Sequence, residues 1–179
     1  MSKKVLILSG SPRRGGNSDL LCDEFLRGAR ESGHQAVKIF LRDKTVAPCS
    51  ACYFCTRNDG NCAIQDDMAE ILDNLQAADV IVMASPVYFY SIDAQMKAVI
   101  DRCVARWTNI PGKEFYYIMT AAEDSETVMD CTLACFQGFA ACLDASREMG
   151  VLQAKGVYEA GAVRSTRYMK DAYEMGRRI

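Results

Sequence analysis

Five apolar runs alternate with five helical patterns, and that alternation constrains the chain more than any single motif. VLILSG (5–10) is a compact apolar stretch, and DVIVMASP (79–86) is the most β-branched one. Runs of this kind read as strands buried on both faces. AVKIFL (36–41) alternates as a second strand; EFYYIMTAA (114–122) and VLQAKGVYE (151–159) supply the fourth and fifth. Between them lie helical registers. Residues 17–33 carry Leu21, Phe25 and Ala29 one turn apart, with Gly33 as the stop. Asp66 and Asp67 open a helix with Met68, Ile71, Leu72 and Leu75 on one face. Residues 91–106 keep Ile92, Met96, Val99, Ile100 and Cys103 in register, 125–149 forms a long helix, and 165–177 a last short one. Such a pattern predicts an α/β fold, a parallel sheet with helices on both faces.

The chain has 179 residues, enough for one domain with a real core. Net charge is -2, from 21 Lys+Arg against 23 Asp+Glu, which argues against nucleic acid and anionic membranes as partners. No stretch approaches the roughly 18 apolar residues of a spanning helix. The apolar run after Lys3 and Lys4 is too short for a signal peptide, so a cytoplasmic setting is expected. Nine cysteines in a reducing cytosol do not suggest a disulfide framework, and an odd number cannot pair completely.

Ligands of parallel sheets bind beyond the carboxyl ends of the strands. Three such ends carry unusual chemistry. The first strand runs into Ser9-Gly10-Ser11-Pro12-Arg13-Arg14-Gly15-Gly16-Asn17-Ser18 and then a helix. Small residues, hydroxyls, arginines and a helix N-terminus make an anion cradle. It is neither a Walker A loop nor a GxGxxG fingerprint, and a plain turn with a helix cap remains an alternative. The third strand ends in Ser85-Pro86-Val87-Tyr88-Phe89-Tyr90-Ser91, three aromatics against which a planar ring could lie or which could pack under a loop. The fourth ends in Thr120-Ala121-Ala122, small enough for close ligand approach.

Residues 46–68 read VAPCSACYFCTRNDGNCAIQDDM and hold Cys49, Cys52, Cys55 and Cys62. Close spacing lets one loop wrap a [4Fe–4S] cube. Zinc also takes four thiolates, but zinc loops usually pair two CxxC knuckles across a longer insertion. Free thiols are the third reading. His34 stands alone and belongs on the surface, so no histidine-based constellation arises. Asp101 and Arg102 suggest a structural pair, and Cys22 and Cys103 small core hydrophobes. On the 125–149 helix, Met129, Leu133, Phe136, Ala140 and Leu143 form the stripe expected on the sheet. Cys131, Cys135, Gly138 and Cys142 fall on the opposite face, which suggests a homo-oligomer, dimer or tetramer, the alternative being a small-residue seam against a neighbouring helix of the same chain.

SGSPRRGGNS, SPVYFYS and KAVIDR (97–102), in that order, resemble the flavodoxin-like FMN reductase family and the iron–sulfur flavoproteins within it. The likeness covers nearly the whole chain. It implies a single FMN-binding domain over 1–179, a three-layer sandwich with sheet order 2-1-3-4-5, and a cysteine-rich loop at 47–65. It also implies FMN phosphate held around Ser9, Ser11, Arg13, Asn17 and Ser18. Pro86, Val87, Tyr88 and Phe89 would line the ring, and Thr120, Ala121 and Ala122 its pyrimidine side. Relatives often carry Trp-Gly at the positions of Phe89-Tyr90, so this ring pocket is expected to be more crowded. The compact Cys49, Cys52, Cys55, Cys62 motif resembles the cluster loop of the iron–sulfur flavoproteins. The implied activity is flavin redox chemistry, with a [4Fe–4S] relay to a carrier such as ferredoxin. The alternatives are an NAD(P)H-dependent reductase of flavins, quinones or nitro compounds without a cluster, and a zinc- or thiol-responsive module without flavin.

Overall fold

The structure, a computed structural model, describes residues 1–179. Strands β1 (Lys4–Ser9), β2 (Gln35–Phe40), β3 (Val80–Pro86), β4 (Glu114–Thr120) and β5 (Arg147–Ala154) form one parallel sheet in the order β2-β1-β3-β4-β5. Helices α1 (Asn17–Glu31), α2 (Met68–Ala77), α3 (Ala94–Arg102), α4 (Asp130–Ala141) and α5 (Tyr168–Arg177) flank it. Alternate residues of each strand feed two cores. Leu6, Leu8, Ile81 and Met83 pack with α2, α3 and α4, while Val5, Ile7, Val80 and Val82 pack with α1 and α5. This two-sided burial is why the central strands read as unbroken apolar runs. The fold is the flavodoxin-like sandwich that the alternation and the resemblance implied.

Several boundaries differ from the sequence reading. The helix expected over 125–149 is confined to Asp130–Ala141, and the strand expected over 151–159 begins at Arg147. Beyond Ala141 the turn tightens: Cys142 N donates to Phe139 O and Leu143 N to Ala140 O. Ala145 then takes a left-handed φ of 54°, so the helix does not resume before β5. Arg147 N donates to Lys113 O, and the ladder pairs Glu114 with Arg147. Arg147 and Glu148 sit on an open sheet edge, so their polarity imitates a helix surface. At the other end of β5, residues 155–159 leave the sheet and fold back over the carboxyl ends of the strands, with Val157 N donating to Ala121 O. The helix expected over 91–106 starts only after Asp93, whose carboxylate caps it by accepting Met96 N at 2.9 Å, and gives way to a 3-10 turn at Cys103. No helix is long and apolar enough to cross a membrane.

Candidate functional site

A cavity of about 170 Å³ opens at the carboxyl ends of the strands. Nine residues expected to bind a cofactor line it: Ser11, Arg13, Asn17 and Ser18 from the first loop, Pro86, Val87 and Tyr88 from the second, and Thr120 and Ala122 from the third. Helix α1 begins at this cavity behind Gly16, with no side-chain cap on its first N–H groups. Those groups have no intrahelical acceptor and carry the positive end of the helix dipole. A Cβ on Gly16 would come within 2.9 Å of Arg13 O, so only glycine allows this fold of the loop. The Ser18 hydroxyl is buried in the same wall and has no hydrogen-bond partner. A buried hydroxyl without a partner is costly, and an anion lying in the cradle would satisfy it.

Three expected residues lie elsewhere. Ser9 is fully buried beneath the loop and donates to Asp19 Oδ1 at 3.2 Å. Asp19 also accepts Gly15 N at 2.9 Å and Lys38 Nζ at 2.7 Å, so Ser9 belongs to a brace under the cradle. Burial works against the charge on Lys38, but Asp19 and Asp23 outweigh it and hold its pKa above the ordinary value. Ala121 is buried and uses its N–H and carbonyl on Ala154 and Val157. Phe89, at φ 48°, turns its ring fully into solvent instead of crowding the cavity. Tyr88 and Ser91 exchange backbone hydrogen bonds at 3.0 Å to close that tight turn. Tyr90 bridges to the next loop by donating from its hydroxyl to Glu123 Oε2 at 2.9 Å.

Asn17 lines the cavity, but its amide is already engaged. Nδ2 donates to Val157 O at 3.1 Å and Glu159 O at 3.0 Å, while Oδ1 accepts Val163 N at 3.2 Å. It therefore ties the returning 155–163 segment to the cradle. Val157, Tyr158 and Ala160 of that segment line the cavity and went unnoticed in the sequence, because 151–159 read as strand. Asp93 is a second hidden support. It accepts the Ser85 hydroxyl at 2.7 Å, and a Cβ on Gly10 would strike its Oδ2 at 2.1 Å, so the first two loops lock through it. Burial pushes the Asp93 carboxyl above the usual range.

The cysteine loop forms a second cavity, of about 310 Å³, lined by Cys49, Cys52, Cys55 and Cys62. It shares no lining residue with the first. Asp101 and Arg102, at the end of α3, complete the wall with Val104 and Ala105. Ala51 and Tyr53 adopt left-handed φ of 51° and 54°, tight turns in the loop; Cys55 is buried, Cys62 half-buried, and Cys49 and Cys52 are exposed. Backbone and Ser50 hydrogen bonds hold the Cys52 thiol below its ordinary pKa. No three acid, thiol or imidazole groups converge closely enough for a single metal ion. Tyr53, Phe54, Val104 and Trp107 are exposed around the loop. Asp101 does not pair with Arg102: it accepts Lys97 at 2.5 Å, while Arg102 forks onto Asp66 at 2.8 and 3.0 Å. His34 is half-buried and accepts Lys3 N at 3.1 Å. Cys22 and Cys103 are core residues, each thiol pushed up to about 12 by burial.

Residues 3–142 match the family described as NADPH-dependent FMN reductase. The chain belongs to that family. Among its relatives, an iron–sulfur flavoprotein of Methanosarcina thermophila is 43% identical over 101 residues, 56% of this chain and 52% of that protein. One of Methanocaldococcus jannaschii is 44% identical over 99 residues, 55% of this chain and 51% of that protein. The chain thus spans about half the length of the relatives it matches. Among solved structures, an NAD(P)H:quinone oxidoreductase from Methanothermobacter marburgensis superposes with a TM-score of 0.79 at 16% identity, covering 99% of this chain and 96% of that one. An FMN-dependent NADH-azoreductase of Bacillus anthracis, in complex with FMN, gives 0.74 at 17% identity, with 98% of each chain covered. Likeness at such identity speaks for the fold. For this member of the FMN reductase family, the strand-end cavity therefore carries the cofactor question.

Proposed function

We propose that the chain is an FMN-dependent oxidoreductase, with FMN in the strand-end cavity and a [4Fe–4S] cluster on Cys49, Cys52, Cys55 and Cys62 relaying electrons to or from it. The observation that carries the flavin is the Ser18 hydroxyl, buried and unpartnered beside the uncapped start of α1. Ser18, Ser11 and the first N–H groups of α1 would hold the phosphate, and Arg13 would add a positive charge. Pro86, Val87 and Tyr88 on one side, and Thr120 and Ala122 on another, would bound the ring. Tyr158 on the returning segment would help keep water out. FMN, when bound, supplies reversible redox chemistry in one- or two-electron steps. No catalytic side chain is assigned.

Two observations support the cluster. All four motif cysteines line one cavity. The two relatives cited above bear the name iron–sulfur flavoprotein. The strand-end cavity is lined by the loop that precedes α3 and the cysteine cavity by residues at the end of α3. The relay would run within one chain, or to a neighbour's flavin. A homo-oligomer is part of the reading: of the face expected to meet a partner, Cys131, Gly138 and Cys142 are exposed, while Cys135 is half-buried against the core. NAD(P)H or ferredoxin would serve as electron partner, in a reducing cytoplasm that suits nine free thiols.

The test is anaerobic reconstitution of the wild type and of Cys52→Ala with iron and sulfide. The reading expects FMN in both and a cluster only in the wild type. Wild-type protein that binds FMN but assembles no cluster would leave the plain NAD(P)H-dependent reductase. Iron or zinc without FMN would leave the metal- or thiol-binding module.

A further inference from the structure

Arg102 is the largest side chain in the interior and is only 2% exposed. Its guanidinium binds both roots of the cysteine loop. Nη1 donates to Ala47 O at 2.8 Å, just before Cys49, and Nη2 to Ile64 O at 3.4 Å, just after Cys62. The fork onto Asp66 completes the set, and Asp66 in turn accepts Ala47 N at 2.9 Å and Met68 N at 3.1 Å. One donor is left over. Nε is buried and has no partner, and Arg102 lines the cysteine cavity, with Cys62 beside its guanidinium. Its guanidinium, paired with Asp66, is a permanent positive charge. For a structural staple, a buried unmade N–H is a cost without a return. In a cavity that receives thiolate-bound iron and sulfide, it is a donor waiting for a sulfur.

We propose that Arg102 is a positioning residue for the cysteine cavity, clamping both ends of the loop and turning Nε and its positive charge toward an anionic occupant. This rests on the cluster reading above. Cluster potentials depend on net charge and on hydrogen bonds to the sulfurs. Groups that orient ligands from behind typically carry roughly 10–100-fold in metal affinity.

The experiment compares wild type, Arg102→Lys and Arg102→Gln after identical anaerobic reconstitution with ferrous iron and sulfide. It measures iron loss to a chelator, the cluster's reduction potential, bound FMN, and hydrogen exchange over residues 47–65 in the metal-free chains. Arg102→Gln should lose iron roughly 10–100-fold faster, with a lowered potential, faster loop exchange and FMN retained. Arg102→Lys, which keeps charge but not the fork, should hold the potential closer to wild type than Gln does. Should Arg102→Gln lose FMN as well, the Lys variant decides: a wild-type potential and iron retention there overturn the positioning role. Wild-type iron retention, potential and loop exchange in Arg102→Gln overturn the proposal while leaving the cluster standing. A wild type that takes up no cluster removes the cluster reading, and the role of Arg102 toward it falls too.

Discussion

The two cavities are built by opposite means. The strand-end cavity hangs on a sheet: each of its loops leaves a β-strand whose position the core fixes, and hidden braces hold the loops to one another. The cysteine loop has almost no regular structure, only a 3-10 turn at Cys55–Arg57, and is held at its base by the buried Arg102–Asp66 ion pair and the reciprocal Thr45–Asp67 hydrogen bonds. In the first, removal of any one polar contact leaves others. In the second, both roots of the four-cysteine loop meet at Arg102 and Asp66. A ligand pocket on a sheet tolerates local damage, whereas a loop wrapped around a space concentrates its stability in few contacts.

Asp66→Ala should expose that difference most strongly. It leaves the Arg102 guanidinium buried without its carboxylate, an arrangement that typically costs about 3–5 kcal/mol. Urea unfolding should show the loss, and hydrogen exchange should rise first over 47–66. The same pair has a pH signature. The folded-state pKa of Asp66 is depressed, since the Arg102 hydrogen bonds outweigh the burial that would raise it. Its stabilisation is therefore present above the unfolded carboxylate value of about 4 and declines as pH falls through the lower folded value. An Asp66→Asn chain should lose less stability on acidification than the wild type. If both unfold with the same acid profile, the pair does not hold the loop.

Smaller effects belong to the strand ends. Asn17→Ala removes three hydrogen bonds to the returning segment and should cost about 1–3 kcal/mol. FMN affinity should fall because Val157 and Tyr158 lose their anchor; titration of flavin fluorescence would measure it. Arg13→Glu should weaken FMN by about 1–3 kcal/mol, the worth of one charge-assisted contact, with unfolding unchanged. Unchanged affinity there would remove Arg13 from the phosphate site. Tyr90→Phe, which loses one exposed bond to Glu123, should shift FMN affinity by no more than about 0.5 kcal/mol.

The sheet and its three loops were legible because buried parallel strands and glycine-rich turns leave local marks. What escaped was non-local or ambiguous. Arg102 and Asp66 are 36 residues apart, and nothing near either one announces the other. Ser9 and Ala121 sit at the correct strand ends, but strand alternation turns them into the interior, a matter of register that motif matching ignores. Asn17 occupies a phosphate-loop position and spends its amide on a segment 140 residues away. Arg147 to Met149 imitate helix because an open edge tolerates the charges of Arg147 and Glu148. The cysteine spacing was clear at once, yet the clamp that shapes the loop could be seen only once α3 was placed against it.

Helix α3 joins the two cavities as a shaft: Asp93 and Ser85 grip one end, and Arg102 presents its fork at the other. A shaft has phase as well as length. One residue inserted between Met96 and Val99 would turn the far end by about 100° and advance it about 1.5 Å, swinging Arg102 off both loop roots. Four inserted residues would bring it back to within about 40° of its bearing but displace it by about 6 Å. The relation between the two sites is thus written as a count of residues in one helix, and insertions there should be far less tolerated than changes to the side chains α3 shows to solvent.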